Sequence, residues 1–129
     1  MEELPAGLSA RVELVVSDAD TAQTVGSGDV PVLATPRLLA LCEAATVAAT
    51  TSRLAPGSTT VGTYVELSHR APSPVGATVV AEARLAKAEG RRLSFEVVVR
   101  QGDKVVAEGR VERTVVDRQE FLNTAVDLL

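Results

Sequence analysis

Residues 33–54 decide the fold, and they read LATPRLLALCEAATVAATTSRL. Most of these side chains are Leu, Ala or Val, so the run predicts a long helix that is buried on most of its circumference. Thr35 fits the N-cap, where its hydroxyl accepts a hydrogen bond from a free backbone N–H, and Pro36 fits the first helical position. The breaker sequence Ala-Pro-Gly at 55–57 predicts the end of the helix.

Glu43 is the one carboxylate in this run. A buried carboxylate costs free energy unless it is paired or has a function, so Glu43 is a candidate for chemistry. The alternative is that Glu43 lies on a solvated stripe of the helix. Few other polar residues share its face, and the pattern alone leaves both interpretations open.

Alternating apolar and polar side chains predict one strand before the helix and four strands after it. The predicted strands are residues 9–17, 61–70, 77–88, 92–101 and 104–116. Turn residues around Gly90 and Gly102 predict hairpins between the last three strands. Residues 21–32 predict a connector that could hold a short helical turn and act as a lid, and residues 117–129 predict a short closing helix.

The alternation also predicts which side chains share a face within each of the last four strands. These sets are Val61, Thr63, Val65 and Leu67; Val79, Ala81, Ala83 and Leu85; Leu93, Phe95, Val97 and Val99; and Val105, Ala107, Gly109, Val111 and Val115. Gly62 interrupts the first of these strands, which indicates a bulge or a close approach of the backbone to another group.

A long apolar helix followed by an antiparallel meander has one economical arrangement, in which the sheet curls around the helix. This is the hotdog fold, an α+β architecture, and we expect residues 1–129 to form a single such domain. An edge strand or apolar face would stay open in a monomer, so the pattern also predicts a homodimer.

Composition excludes several classes of function. Aromatic residues make up 2% of the chain, and its net charge is −4 with no block of Lys or Arg, so we expect no nucleic-acid partner. One Cys and one His give no metal site, and Cys42 is expected to be a small core residue. No apolar run is long enough to span a bilayer, and the acidic N-terminus does not resemble a signal peptide. We therefore expect a cytoplasmic protein with no membrane contact.

Four side chains stand out as candidates for chemistry. Thr35, Glu43 and His69 together supply a hydroxyl, a carboxylate and an imidazole, the groups that acid–base or nucleophilic catalysis uses. Arg113 lies on a face otherwise formed by valines, so its guanidinium needs an anionic partner, either a structural carboxylate or a ligand. A lone His is more often incidental than catalytic, and spacing alone does not bring these groups together.

The chain resembles the fluoroacetyl-CoA thioesterase family of hotdog enzymes over roughly residues 33–123. The resemblance rests on ATPRLLALCE at 34–43, VGTYVELSH at 61–69, EGRRLS at 89–94, and GRVER at 109–113 with Glu120-Phe121. The spacing of Thr35, Glu43 and His69 agrees with that of the family's Thr, Glu and His.

This resemblance implies hydrolysis of a small acyl-CoA thioester, with coenzyme A as part of the substrate and no separate cofactor. It implies that Glu43 is the nucleophile or general base, that Thr35 positions that carboxylate or the substrate carbonyl, and that His69 handles the leaving thiolate. By the same resemblance, Gly62 and Arg113 belong to the acyl-binding region.

One segment departs from the family. The fluoroacetyl-specific member has aromatic residues in the lid before the helix, whereas residues 21–30 here contain none, so we expect a different short acyl group. Two alternatives remain: a hotdog hydratase or dehydratase acting on enoyl or hydroxyacyl thioesters, and a non-catalytic protein that binds acyl thioesters.

Overall fold

The computed structural model describes residues 4–129 and contains five strands and three α-helices. In chain order they are β1 (Ser9–Val15), α1 (Ala22–Val25), α2 (Thr35–Thr50), β2 (Ser58–His69), β3 (Thr78–Glu89), β4 (Arg92–Gln101), β5 (Lys104–Asp117) and α3 (Arg118–Val126). Single turns of 3-10 helix occupy Asp18–Asp20 and Thr51–Arg53. The predicted helix, connector turn and closing helix are confirmed, and strand bounds agree within three residues.

All five strands form one antiparallel sheet in the order β1-β3-β4-β5-β2. Helix α2 packs against its concave face, chiefly over β1 and β3. This arrangement confirms the predicted α+β hotdog fold. No helix within residues 4–129 is long and apolar enough to cross a bilayer.

Strands β3 and β4 form the centre of the core. The predicted faces of both strands are buried, and Ala81, Ala83 and Phe95 have no exposed surface. Small alanines on β3 let α2 approach the sheet closely, while Phe95 fills the space under the helix. The alternation of apolar and polar side chains therefore predicted the buried faces of β3 and β4 correctly.

Strand β5 departs from the predicted alternation at its start. The register with β4 shifts between Val99 and Arg100, because Val99 pairs with Ala107 and Arg100 pairs with Val105. As a result Val106 and Ala107 are both buried, and Val105 is not. The prediction that Val105 shares the face of Ala107 is wrong, because a bulge changes the phase of the strand.

Strand β2 contains a second irregularity, between Gly62 and Tyr64. Before it, Gly62 pairs with Arg113; after it, Val65 pairs with Val111 and His69 pairs with Ala107. Thr63 is the extra residue, so the predicted common face of Thr63 and Val65 is wrong, whereas the predicted bulge is confirmed. The bulge puts Gly62 and His69 on the same concave face.

Helix α2 is buried on one side only in this single chain. Its buried residues are Leu38, Leu41, Cys42, Ala45, Thr46, Ala49 and Thr50. The opposite side, with Ala40, Ala44, Val47 and Ala48, is exposed. Burial on most of the circumference was therefore a wrong prediction for the isolated chain, because the helix leans toward β1 and β3 and leaves β2 uncovered.

Candidate functional site

Thr35 and His69 form a hydrogen-bonded pair at the start of α2. The Thr35 hydroxyl lies 2.7 Å from Nδ1 of His69. Ala34, not Thr35, occupies the cap position, and Thr35 and Pro36 are the first two helical residues. The predicted N-cap role of Thr35 is wrong, because the hydroxyl of a first-turn residue points away from the free N–H groups and here contacts the imidazole.

The second ring nitrogen of His69 is available for chemistry. Nε2 is buried and has no hydrogen-bond partner among residues 4–129. Burial lowers the pKa of His69 below its usual range, and the backbone of Ala71 opposes this in part. Neutral imidazole therefore predominates near pH 7. The Thr35 hydroxyl can donate to Nδ1 or accept from it, so Nε2 carries a proton in one tautomer and can accept a proton in the other.

A cavity of about 300 Å³ opens beside this pair. Its walls include Thr35 and His69 together with Ala22, Val30 and Ala71. The other lining side chains are mostly small or aliphatic, apart from Arg70, and none is Phe, Tyr or Trp. Ala22 of helix α1 and Ser27, Gly28 and Val30 of the following loop form one wall, so the predicted lid segment does border the cavity.

Glu43 and Arg113 form a second pair, two helical turns further along α2. Nη1 of Arg113 donates to Oε2 of Glu43 at 3.0 Å, while Nε and Nη2 donate to the side chain and backbone of Thr60. The Arg113 side chain is 8% exposed and that of Glu43 is 36% exposed. The anionic partner that Arg113 needs is thus Glu43, whose carboxylate still faces open space on one side.

Gly62 lies directly beneath this ion pair. A β-carbon added there would be 2.5 Å from Oε2 of Glu43 and 3.4 Å from Nη1 of Arg113. The expected close approach of the backbone at Gly62 to another group is confirmed, and that group is the carboxylate of Glu43. Only a residue without a side chain leaves room for Glu43 in this position.

The two pairs do not meet within one chain. Thr35 and Glu43 are eight residues apart, which is about 12 Å along the helix axis. Among the described residues, Glu43 has no hydrogen bond to Thr35 or His69. The structure therefore assembles Thr35 with His69, and Glu43 with Arg113 and Gly62, as two separate halves of a site.

A third polar cluster, missed at the sequence level, anchors the first half. Oδ1 of Asp20 accepts a 2.9 Å hydrogen bond from Nε of Arg37, and Oδ2 accepts from the backbone and hydroxyl of Ser17. The backbone oxygen of Asp20 accepts from Ala34 N at 2.9 Å. Asp20 thus ties the end of β1 to the first turn of α2, next to Thr35.

The environment of Asp20 favours the charged carboxylate. The backbone N–H of Ser17, with its hydroxyl and Arg37, holds the pKa of Asp20 below its usual range against the effect of burial. The pattern Ser17-x-x-Asp20 is a capping-box signature that could have indicated the Ser17 contact. Nothing in the sequence indicated the contact with Arg37.

Cys42 is buried and free, as expected for a core residue. Burial, and secondarily the charge of Glu43, raises the pKa of its thiol to about 12. Among residues 4–129, no group of three or more His, Cys, Asp or Glu side chains could hold a metal ion.

The chain is similar to known proteins over most of its length. The profile of the fluoroacetyl-CoA-specific thioesterase family matches residues 16–119. Fluoroacetyl-CoA thioesterase from Streptantibioticus cattleyicolor is 38% identical over 90 residues, which are 70% of this chain and 65% of that protein's length.

Solved structures share the fold. A structure from a study of the activity and substrate specificity of fluoroacetyl-CoA thioesterase has a TM-score of 0.90 and 30% identity, covering 98% of each chain. A thioesterase-superfamily protein from Thermus thermophilus has a TM-score of 0.91 and 28% identity over 99% of this chain and 95% of its own. The chain therefore belongs to the fluoroacetyl-CoA-specific thioesterase family, a family of hotdog thioester hydrolases.

Proposed function

We propose that this protein hydrolyses a small acyl-CoA thioester to the free acid and coenzyme A. The observation that carries the proposal is the hydrogen bond between Thr35 and Nδ1 of His69 beside an aliphatic cavity, with Nε2 left without a partner. Membership of a thioesterase family supports it, as does the half-exposed Glu43 carboxylate held by Arg113.

The two halves of the site supply complementary steps. Glu43 either takes the proton of a water that attacks the thioester carbon, or attacks that carbon itself to give an acyl-enzyme that water then opens. The C–S bond breaks; Nε2–H of the neutral His69 donates a hydrogen bond to the departing thiolate, which takes up the proton that the water loses. In this tautomer the Thr35 hydroxyl donates to Nδ1 and orients the imidazole. Gly62 and Arg113 hold the carboxylate in place.

A homodimer would bring the two halves together. In each chain the edge of β2 and one side of α2 are open, and Val47 and Val65 are each about 40% exposed there. A two-fold pairing of β2 edges centred on Glu66, with Thr63 counted as the extra residue of the bulge, sets His69 opposite Gly62 of the partner subunit. The Thr35–His69 pair of one chain then faces the Glu43–Arg113 pair of the other, and opposed residues of antiparallel strands share a face.

The cavity favours a short, unsubstituted aliphatic acyl group. Ala22, Val30 and Ala71 offer apolar surface and no aromatic ring. A pocket of this lining binds through burial of apolar area and does not select for a fluorine atom. We therefore expect turnover of short unsubstituted acyl-CoAs, without preference for the fluorinated analogue.

The test follows the release of free thiol from a panel of short acyl-CoAs. We expect turnover by the unmodified protein and a loss of about 100-fold or more in kcat for Glu43→Gln and for His69→Ala. Glu13→Gln, on the exposed side of β1, is the matched charge control and should be unaffected. Absence of release from every thioester would contradict hydrolysis, and equal rates for Glu43→Gln would contradict the mechanism.

The shared site is tested by mixing two inactive variants. Glu43→Gln and His69→Ala, refolded together in equal amounts, should recover about a quarter of the normal rate, because half of the dimers then hold one complete site. No recovery, together with an exchange of subunits shown by mass spectrometry, would place each site within one chain. The cytoplasmic location expected from the sequence stays a prediction.

A further inference from the structure

Glu66 lies on the convex face of β2, at the edge that stays open in the single chain. Strand β2 pairs on one side with β5, where Glu66 is opposite Arg110, and has no strand on its other side within residues 4–129. Val111 is buried under α2, so its neighbour Arg110 faces outward, and Glu66 faces outward with it. Both outward side chains are about half exposed. The charge of Glu66 is therefore presented to any strand that pairs with this edge.

The nearest cation to Glu66 is shared with a second carboxylate. Nη2 of Arg110 lies 3.5 Å from Oε1 of Glu66, and Nε of Arg110 lies 3.5 Å from Oε2 of Glu112. The Tyr64 hydroxyl donates a 2.9 Å hydrogen bond to Oε2 of Glu66, and its ring lies 5.4 Å from the centre of the Arg110 guanidinium. One guanidinium thus serves two carboxylates, and the negative charge of Glu66 is only partly offset.

The other charged groups that face Glu66 from β4 and β5 have ion-pair partners of their own. These pairs are Arg70 with Glu108, Arg84 with Glu96, and Arg92 with Glu112. Among residues 4–129, Arg110 is the only cation within 4.0 Å of Glu66. The hydrogen bond to Glu66, and secondarily its charge, raises the pKa of Tyr64 above its usual range, so the phenol stays protonated near pH 7.

The two-fold pairing of β2 edges proposed above has Glu66 at its centre, and the central residue of such a pairing lies opposite itself. Opposed residues of antiparallel strands share a face, with β-carbons about 4.5–5.5 Å apart, so the two carboxylates meet on the convex side. Tyr64 then lies opposite the partner subunit's Ser68. The outward residues of β2 along this stretch are Tyr64, Glu66 and Ser68, so the edge of the partner subunit offers no cation to Glu66.

We propose that Glu66 and the partner subunit's Glu66 form a like-charge pair on the two-fold axis, and that this pair makes assembly of the dimer depend on pH. The inference rests on the homodimer proposed above and not on the reaction. Two carboxylates at this distance repel each other when both are ionised, whereas one retained proton removes the repulsion and allows a hydrogen bond between them. The dimer then binds one proton more than two separate chains, so association strengthens as the pH falls from neutral toward the range in which glutamate titrates.

This pair would control the site without touching the substrate. Each proposed site takes Thr35 and His69 from one chain and Glu43 and Arg113 from the other. Weaker association at neutral pH therefore means fewer complete sites in dilute protein. Glu66 acts from the convex face, whereas the site lies on the concave one.

A mixing experiment tests whether Glu66 lies on the axis. Glu66→Lys sets like charges opposite each other again, whereas a mixed dimer of this variant with the unmodified chain has opposite charges there. Native mass spectrometry of an equal mixture, refolded together, should show mixed dimers well above the half that random pairing gives. Glu82→Lys carries the same change of charge on β3, two strands away from β2, and should mix at random. Random mixing of Glu66→Lys as well would overturn the inference and leave the dimer intact.

The pH dependence is tested by measuring the Kd of the dimer between pH 5 and 8, by sedimentation of dilute protein. We expect Glu66→Gln to lower Kd about five- to tenfold at pH 8 and to have a smaller effect at pH 5, where the repulsion is relieved. The difference should also shrink at high salt. His69 titrates in both proteins, so the difference between them isolates Glu66. Glu82→Gln is the matched control and should follow the unmodified protein.

The outcomes separate this inference from the proposed function. The same pH dependence of Kd in Glu66→Gln and in the unmodified protein would overturn the inference alone. A chain that stays monomeric across the whole pH range would overturn both the inference and the homodimer. Neither measurement uses a substrate, so a failure of hydrolysis changes neither result.

Discussion

The carboxylate of Glu43 lies against the backbone of Gly62, in the space that a side chain would occupy. A β-carbon at position 62 would lie 2.5 Å from Oε2 of Glu43. The carboxylate rests on the backbone of β2 on one side and on Arg113 on the other. The position of the proposed catalytic carboxylate thus depends on strand β2, which is distant in sequence, and on the lack of a side chain at Gly62.

Gly62→Ala should therefore impair catalysis more than folding. The new methyl group displaces the Glu43 carboxylate, and we expect kcat to fall about tenfold or more with a change in stability below about 1 kcal/mol. Steady-state kinetics and urea denaturation measure the two effects. Shortening the side chain with Glu43→Asp in the Gly62→Ala background should restore part of the rate, and normal kcat in Gly62→Ala would contradict this account.

Arg113→Gln should lower stability. The change leaves the Thr60 oxygens without their donors and Glu43 without its cation, and because that carboxylate is partly exposed we expect a loss of about 1–3 kcal/mol. Urea denaturation measures it. In a double-mutant cycle, Glu43→Gln should cost less in the Arg113→Gln background than alone. Strictly additive losses would show that the two side chains are not coupled.

The pH dependence should report His69, the only histidine of the chain. Burial lowers its pKa, so the folded protein binds fewer protons than the unfolded chain as the pH falls through about 6.5. The contribution of neutral His69 to the free energy of unfolding is therefore complete above pH 6.5 and is lost as the pH falls toward its folded pKa. Denaturation of the unmodified protein and of His69→Gln between pH 5 and 8, a window set by the usual histidine pKa, isolates this contribution.

Activity should follow the same group. The acid limb of kcat/KM should lie below the ordinary histidine pKa, because the neutral imidazole is the form that Thr35 orients. If the acid limb of kcat/KM has its midpoint above pH 6.5, the imidazole is not the neutral, buried group described here.

Asp20 and Arg37 should act on catalysis through Thr35 and His69. Asp20→Asn weakens the hydrogen bonds that fix the first turn of α2, and we expect kcat to fall several-fold. NMR of the single imidazole provides a direct readout, since a loosened Thr35 contact changes the tautomer balance of His69. The kcat of Arg37→Lys, a change that keeps the positive charge, should lie between that of Asp20→Asn and that of the unmodified protein. An unchanged imidazole spectrum in Asp20→Asn would limit Asp20 to a structural role.

Gly109→Ala should disturb the pairing of β2 with β5. A β-carbon at Gly109 would collide with the backbone carbonyl of Glu66, which cannot move without breaking the ladder. We expect a loss of about 2 kcal/mol or more, together with weaker association, because β2 carries the proposed dimer edge. Thermal denaturation and light scattering measure both. Gly102→Ala lies outside the ladder and serves as a control for loss of glycine in general, although its positive φ adds some strain of its own.

The sequence was most informative where one rule acted alone. The burial of Phe95 and Ala83 followed from strict alternation, and the start of α2 within one residue of Pro36 followed from the preference of proline for the first helical turn. Prediction failed where a single extra residue in a strand shifted the alternation of side chains between the two faces of the sheet, as it did at Thr63 and Val106. It also failed where a tertiary partner outcompeted a local one.

Thr35 illustrates the second kind of failure, because its hydroxyl contacts an imidazole 34 residues away and not the backbone of its own helix. The pairing of Asp20 with Arg37 has the same origin. The first contact depends on how β2 lies beside the start of α2, and the second on how the turn after β1 lies against it; no local pattern encodes either. Glu43 was identified from its apolar neighbours, but its partner on β5 emerged only from the folded sheet.

The bulge at Thr63 has a consequence for how this site can change. Thr63 is the one residue of β2 between Gly62 and His69 that has no partner on β5. Deleting it would remove the bulge and leave Gly62 and His69 six residues apart, an even spacing that keeps both on the concave face. The strand can therefore become regular at this point while the two halves of the site still face the same space.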